Sequence, residues 1–420
     1  MANGRGAPLL RCWTAHYAER MTRSPLHDEH LALGATLVDF AGWDMPVRYS
    51  GDVAEHLAVR TAAGLFDISH MGEIAIRGAD AAAGLDAAVV SGMERLAIGK
   101  AKYTMLCTEG GGVIDDLIVY RRDWDHFLIV ANASNVDTVT AELVERFAAF
   151  DATVENITAD VSLIAVQGPK AEGIVADMCA AGADDVRALK NYTWCTVLLQ
   201  GDVHAMVART GYTGEDGFEL FVPPADAVEV WRLALALGEP KGLIPCGLSA
   251  RDTLRLEAGM PLYGHELTLA TTPYDAGLSW VVQTGAMRVL ERPGVNGAVS
   301  TSAEPVARGD FVGREALAAA KEAATANAAD PASAPIESRI LVGLVGSPGR
   351  AARSGFAVLV GEREVGIVSS GAPSPTLGVP VAMAMVHPSA AAVGTVLDID
   401  VRGRRETMTV TALPLYSRAS

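Results

Sequence analysis

Tyr103-Thr-Met-Leu-Cys-Thr-Glu109, then Gly110-Gly-Gly112, then Val113-Ile-Asp-Asp-Leu-Ile-Val-Tyr120, and past a polar turn Phe127-Leu-Ile-Val-Ala-Asn132: three apolar runs separated by two short turn signals read as an antiparallel meander. The middle run is apolar on both faces. Strict alternation puts Val113, Leu117 and Val119 on one side and Ile114, Ile118 and Tyr120 on the other. Two adjacent carboxylates, Asp115 and Asp116, interrupt the run, and alternation sends them to opposite faces. Asp is disfavoured in strands, and burying its charge unpaired is expensive. The pair therefore reads in one of two ways. It is a bulge or strand end with solvated or paired carboxylates, or it is functional, each acid facing protein or a cavity.

Outward from this meander the chain alternates sheets and helices. Before it, His27 to Leu33 is a short helical run. Val53 to Ala63 is an amphipathic helix ended by Gly64, and a strand region starts at Leu65. His27 and His30, three apart, suit a metal by spacing, but a solvated helix face is the simpler reading because no third ligand is near. His70 reads as a structural histidine or as a neighbour of a ligand. Ala81 to Val89 and Val136 to Phe150 are Ala-rich and periodic, hence helical. Strand Ser162 to Gln167, helix Ala171 to Cys179, a hairpin from Thr196 to Val207 and helix Ala225 to Leu237 follow. The rhythm is α+β, without the regular strand–helix–strand order of a doubly wound sheet. Residues 286–307 are irregular and read as a surface insertion. Residues 318–335 are Ala-rich and read as a helix fraying into a linker. From Ile340 short strands with Gly/Pro turns announce a separate small β domain. The expected organisation is an extension (1–22), a two-part body (23–285), an insertion and linker (286–337) and a C-terminal barrel (338–420).

The chain has 420 residues, half of them hydrophobic and a fifth charged, which is globular. A net charge of −16 argues against a nucleic-acid binder. Five scattered cysteines without a C-x-x-C suit a reducing cytosol and give no zinc or disulfide framework. No stretch reads as a membrane span. Residues 1–22 carry arginines without a long apolar core. They read as a poorly ordered extension, not a secretory signal.

Two further constellations carry chemistry. Arg209-Thr-Gly-Tyr-Thr-Gly-Glu-Asp-Gly-Phe-Glu-Leu-Phe-Val222 is a Gly-rich loop entering a strand. Phe218, Leu220 and Val222 share one face, Glu219 and Phe221 the other. Glu219 is either an acceptor for two N–H donors of a heteroaromatic ring or an edge carboxylate in water. In Cys246-Gly-Leu-Ser-Ala-Arg-Asp-Thr-Leu-Arg-Leu-Glu257, Ser249 and Asp252 resemble a capping pair. Arg251 and Arg255, four apart, share a face and either hold a carboxylate ligand or pair with Asp252 or Glu257. No phosphate loop, H-E-x-x-H or G-x-G-x-x-G survives, so no built-in flavin or nicotinamide domain is expected.

The chain resembles the T-protein family of the glycine cleavage system, tetrahydrofolate-dependent aminomethyltransferases. The resemblance runs from about Ser24 to Arg418. It is carried by Asp39-Phe-Ala-Gly-Trp43, Phe66-Asp-Ile-Ser-His-Met-Gly72, Gly111-Gly-Val-Ile-Asp-Asp116 and Arg209 to Glu219. Further on, Ala250-Arg-Asp252, Leu262-Tyr-Gly264, Gly277-Leu-Ser-Trp280, Asp310-Phe-Val-Gly-Arg314 and Ser374-Pro-Thr-Leu-Gly378 carry it. It implies a three-part α+β fold, two α+β subdomains and a C-terminal β-barrel-like domain around a central folate cavity. It implies Asp116 as the catalytic acid and Glu219 as the carboxylate that grips the pterin. Arg251 and, on a short match, Tyr416 bind folate, and Tyr103, Asn132, Tyr212, Trp280 and Met71 line the cavity. The implied reaction takes an aminomethyl group from the dihydrolipoyl arm of a carrier protein, the H-protein. It releases ammonia and passes the one-carbon unit to tetrahydrofolate, without metal or flavin, in the cytoplasm and without nucleic acid or membrane. Arg288, Arg292, Arg308 and Arg314 are the candidate carrier-docking patch. Two alternatives share the fold: a folate-dependent demethylase of a methylamine or sulfonium donor, and a non-catalytic folate-binding scaffold. The scaffold would be expected to carry a cysteine motif where this chain has Leu262-Tyr-Gly-His-Glu266.

Overall fold

A computed structural model describes residues 21–286, 288, 290–291, 300–302 and 304–418. Residues 1–20 of the expected extension (1–22) and Arg292 lie outside the described residues, whereas Thr22 is ordered against Gly42 and Trp43. The meander forms as strands Ala101–Cys107, Val113–Asp123 and His126–Ala131, and continues through Gly72–Arg77 to Thr153–Asn156 as a five-stranded sheet. Helices Ala81–Ala88 and Val136–Arg146 cover its outer face, burying Leu85, Val139 and Leu143 against Ile74, Ile76 and Ile129. Burying each of these side chains is worth about 1.5–3 kcal/mol.

A second, seven-stranded sheet runs in the order Cys179–Ala181, Trp194–Leu199, Val203–Ala208, Gly217–Val222, Ser162–Gln167, Ala63–Asp67, Leu243–Pro245. Helices Ala171–Met178 and Ala227–Gly238 cover its outer face, with Trp231 fully buried. Phe218, Leu220 and Val222 face those helices, while Phe221 faces the layer between the two sheets, as alternation requires. That inner layer contains Phe66, Ile68, Tyr120, Leu128, Val130, Leu163 and Phe221.

The third part is a closed six-stranded barrel of strands Ile340–Gly346, Pro380–Val386, Arg363–Pro373, Ala357–Val360, Val396–Asp400 and Arg405–Thr411. Closure removes the exposed sheet edges that short strands would otherwise leave. Helix Arg314–Ala329 precedes it, and Leu256 of helix Leu248–Glu257 packs on Ala372, Val381 and Met383 of the barrel wall. Among the described residues, no helix is long and apolar enough to cross a membrane.

Tertiary contacts overrule local pattern at four points. In the meander, Cys107 pairs with Val113 but Leu106 with Asp115, so Ile114 is an extra residue, a β-bulge. Ile114 therefore packs with Leu117 and Val119, and Val113 packs elsewhere, against the simple alternation. Gly64 lies inside strand Ala63–Asp67 and does not end the preceding helix, Asp52–Thr61. A Cβ there would come within 2.5 Å of Val59 Cγ2 and 2.7 Å of Cys246 Sγ. Helix Leu248–Glu257 is capped by Gly247 with no side-chain cap, not by a Ser249–Asp252 pair. Gly247 packs on the backbone of Val47 and donates its N–H to Glu55. Finally, His27 and His30 are buried and form no solvated face. The His30 ring lies 2.8 Å from Asp67 and 2.9 Å from the Tyr49 hydroxyl. No three His, Cys, Asp or Glu side chains among the described residues group as metal ligands.

Candidate active site

The two acids of the meander differ in what they touch. Asp115 is fully buried on the outer face, beside the turn that starts helix Val136–Arg146. It accepts from the Asn132 backbone N–H (3.0 Å), Asn132 Nδ2 (2.8 Å) and Asn135 Nδ2 (2.9 Å). Asp116 is half-buried on the inner side and accepts from the Tyr103 hydroxyl (3.0 Å) and Asn132 Nδ2 (2.8 Å). Opposite-facing carboxylates are thus bridged by one side chain, because Asn132 sits just past the end of strand His126–Ala131 and reaches both.

No cation pairs with either acid among the described residues. Burial, joined by the Asp116 charge, raises Asp115 to about 7 against the pull of Asn135 and Asn132. Burial also raises Asp116, opposed by the bonds from Tyr103 and Asn132. The same surroundings lift the Tyr103 hydroxyl well above its ordinary range, so it stays a donor.

Glu219 projects from strand Gly217–Val222 on the inner face, half-buried. One carboxylate oxygen accepts from Tyr120 (3.2 Å) and Thr210, and the Tyr120 and Thr210 hydroxyls are 3.2 Å apart. Arg251 lies with its guanidinium 4.7 Å from the Tyr212 ring centre and has no carboxylate partner among the described residues. Burial pulls its pKa down, partly offset by Tyr212 and Glu219. Arg255 takes the other course. It is 1% exposed and bonds Asp252, Glu266 (3.0 Å) and Ser370 of the barrel (2.8 Å). Two arginines on one helix face thus divide: Arg255 is a structural tie, and Arg251 keeps no carboxylate partner among the described residues.

Tyr192 stands within electrostatic reach of both acids. Burial raises its phenol, and the charges of both Glu219 and Asp116 add to the rise. Tyr212 likewise feels Arg251 and Asp116. Trp280 is 62% exposed, with its ring 5.9 Å from that of Tyr103. Met71 is half-buried against the inner layer. Tyr416 lies at the seam of body and barrel. Its hydroxyl donates to Glu215 (2.8 Å) under the Arg60 guanidinium, 4.0 Å from the ring centre. His70 is buried edge-on to Phe40, and burial together with the Arg251 charge lowers it to about 4. Tyr120, Thr210 and Tyr192 carry no local signal. Tyr120 meets Glu219 across the two sheets, and Thr210 meets it within the Gly-rich loop.

Of the arginines expected to form a carrier-docking patch, Arg308 is not available at the surface, while Arg288 is exposed and Arg314 half-buried. Arg308 is 6% exposed and donates to the carbonyls of Asp86, Val89, Val90 and Gln283 and to the Asp86 carboxylate. It is an internal clamp, because carbonyl groups at the end of helix Ala81–Ala88 need a donor. Arg314 donates to the carbonyls of Arg308 and Gly309, and Arg288 to Ser302.

Two family models match the chain. The GCVT N-terminal domain matches residues 26–286, and the glycine cleavage T-protein C-terminal barrel domain matches residues 339–417. The aminomethyltransferase of Streptomyces coelicolor is 50% identical over 399 residues, 95% of this chain and 98% of the relative. That of Bacillus pumilus is 38% identical over 399 residues, 95% of this chain and 100% of the relative. The crystal structure of the glycine cleavage system aminomethyltransferase T from Bartonella henselae superimposes with a TM-score of 0.79 at 34% identity. It covers 94% of this chain and 98% of that one.

Proposed function

Because the chain belongs to the glycine cleavage T-protein family and is an aminomethyltransferase, we propose that its acceptor is tetrahydrofolate and its donor the aminomethyl-dihydrolipoyl arm of the H-protein. One observation carries the reading. Asp116, an acid held only by neutral donors, Glu219, a second acid bonded through one oxygen, and Arg251, without a carboxylate partner among the described residues, are all half-buried along the layer between the two sheets. Glu219 receives the N–H donors of the pterin, and Arg251 and Tyr212 flank the same ligand. Tyr103, Met71 and Trp280 give it apolar and aromatic walls, Asn132 holds Asp116 in place, and Tyr416 completes the site from the barrel side.

In the reaction, the carbon–sulfur and carbon–nitrogen bonds of the aminomethyl group are exchanged for bonds to folate nitrogens, and ammonia and the reduced arm leave. The migrating carbon is iminium-like and positive. A carboxylate fixed in a water-poor cavity stabilises that charge and aligns the receiving nitrogen. The reducing cytosol suits the chain, whose four described cysteines are all free thiols. Ammonia release from aminomethylated carrier protein, with and without tetrahydrofolate, tests the reading. Release that does not respond to tetrahydrofolate would sink it.

Glu219→Ala should weaken tetrahydrofolate binding by about 1.5–3 kcal/mol, the usual worth of a hydrogen bond to a charged group. Calorimetry of this variant beside Arg251→Ala decides. Unchanged affinity in both would remove these residues from the ligand.

A further inference from the structure

Glu73 follows the Phe66-Asp-Ile-Ser-His-Met-Gly72 motif and opens strand Gly72–Arg77. Alternation places Ile74 and Ile76 under the outer helices and Glu73 on the inner side, paired across the ladder with Val130. Its neighbours in that layer are apolar: Phe66, Ile68, Leu128, Val130 and Phe221, with Tyr120. Its backbone is fixed at both ends. The N–H donates to Thr158 Oγ1 (3.0 Å) and the carbonyl accepts from Ile157 (2.8 Å). A slip of register is blocked at Gly72, where a Cβ would lie 2.4 Å from Val136 Cγ2.

The side chain is fully buried, yet neither carboxyl oxygen has a partner. Among the described residues it is the one acid with both oxygens buried and unpartnered. The ladder sets Glu73 in one row with Val130, Ile118 and Tyr103, next on the same face to the row of Tyr120, which bonds Glu219, an acid of like sign. Tyr120 stands in the same layer with its hydroxyl already given to Glu219. A burial of this kind destabilises the fold and is retained only where something else completes the group.

We propose that Glu73 is a second acid of the acceptor site, a neutral carboxyl group that hydrogen-bonds the same heteroaromatic ring whose N–H donors Glu219 receives. The inference rests on the reading of Glu219 as the ring-binding carboxylate. The division of labour follows from donor counting. An ionised carboxylate only accepts, whereas a protonated one has an O–H to donate as well. A reduced pterin carries N–H donors beside a carbonyl and a ring nitrogen that accept. Two ionised acids facing each other would repel, and one ionised and one neutral acid meet both halves of such an edge. Burial first, and the Glu219 charge second, push the Glu73 carboxyl up, toward the neutral form.

The test sets affinity against stability. Glu73→Leu removes an uncompensated polar group, so its melting temperature should rise, while tetrahydrofolate binding by calorimetry weakens about tenfold, the worth of one hydrogen bond. The loss should appear in KM for tetrahydrofolate with little change in kcat. Glu73→Gln, neutral and with both a donor and an acceptor, should bind within about threefold of wild type. The infrared carbonyl stretch of a protonated carboxyl should be present in wild type, absent in Glu73→Gln and shifted by tetrahydrofolate. Unchanged affinity in Glu73→Leu, or a protonated-carboxyl band that ignores tetrahydrofolate, overturns the proposal. So does a fall of stability and affinity together in Glu73→Leu with no rescue by Gln. Wild type that binds no tetrahydrofolate in the same calorimeter would instead defeat the acceptor assignment itself.

Discussion

Asp116→Asn should cut turnover about a hundredfold, the usual loss when one preorganised electrostatic group is removed from an active site. The expectation follows from what Asp116 lacks. Its oxygens meet a phenol and an amide, both neutral, and among the described residues no cation cancels its charge. Burial raises its pKa, so the free enzyme spends energy to keep it ionised. That unspent attraction is available to the positive carbon in transit. The variant should fold normally or melt slightly higher, because it loses a poorly solvated charge. Asp115→Asn should cost no more than about tenfold, since Asp115 acts through Asn132 and Asn135 and not on the substrate.

The pH profile gives a second check. A catalyst that works as the carboxylate loses activity as pH falls through its folded pKa. Since that pKa is raised, the acid limb should lie above the ordinary carboxylate range. Asp115, at about 7, is coupled to it, so the limb belongs to the pair. In Asp116→Asn the residual activity should lose that limb. Turnover near the wild-type value in this variant would remove Asp116 from the chemistry.

The sequence discloses this half of the site because its parts are neighbours in the chain. Tyr103, Asp116 and Asn132 lie on or next to three consecutive strands, and a meander brings consecutive strands side by side. The other half is not local. Glu219 acquires Tyr120 only when one sheet faces the other, and no spacing rule connects residues 99 apart, whereas Thr210 reaches it from the same Gly-rich loop. The bulge at Ile114 escapes a strict period of two because an extra residue leaves no mark in composition. Arg308 reads as surface charge in a polar, Gly-rich segment. Only the fold shows that backbone carbonyls wait for it. In each case local pattern fixes the element, and a distant partner decides the role of the side chain.

Glu257→Ala should lower stability by about 3–5 kcal/mol, the range for breaking a buried ion pair by removing one partner. Glu257 ends helix Leu248–Glu257, is fully buried and gathers three parts of the chain. From helix Asp52–Thr61 it takes Arg60 (2.8 Å) and the His56 ring (3.1 Å). From the barrel loop it takes the Ser374 hydroxyl, Thr376 Oγ1 (2.8 Å) and the Thr376 N–H (3.2 Å), which accounts for the Ser374-Pro-Thr motif. Its own carbonyl accepts from the Tyr416 N–H (2.8 Å), so the same residue sets the path of the C-terminal segment. Removing the carboxylate leaves Arg60 with Glu215 alone as an ion partner and takes the acceptor from the Ser374 and Thr376 hydroxyls. Burial by itself would raise this carboxyl, but the bond and charge of His56, then the bonds of Ser374 and Arg60, bring it down to about 2. The sign is that of a depressed acid. Its stabilisation is fully present above the unfolded value, about 4.3, and is lost as pH falls through about 2. The gap between wild type and variant should therefore be constant near neutrality and close over that acid window. Urea denaturation of both proteins at several pH values, with Arg60→Ala and the double variant to isolate the pair, measures it. A deficit that stays under about 1 kcal/mol, the size of an exposed pair, would show that the seam is held by the apolar contacts of Leu256, Val381 and Met383 instead.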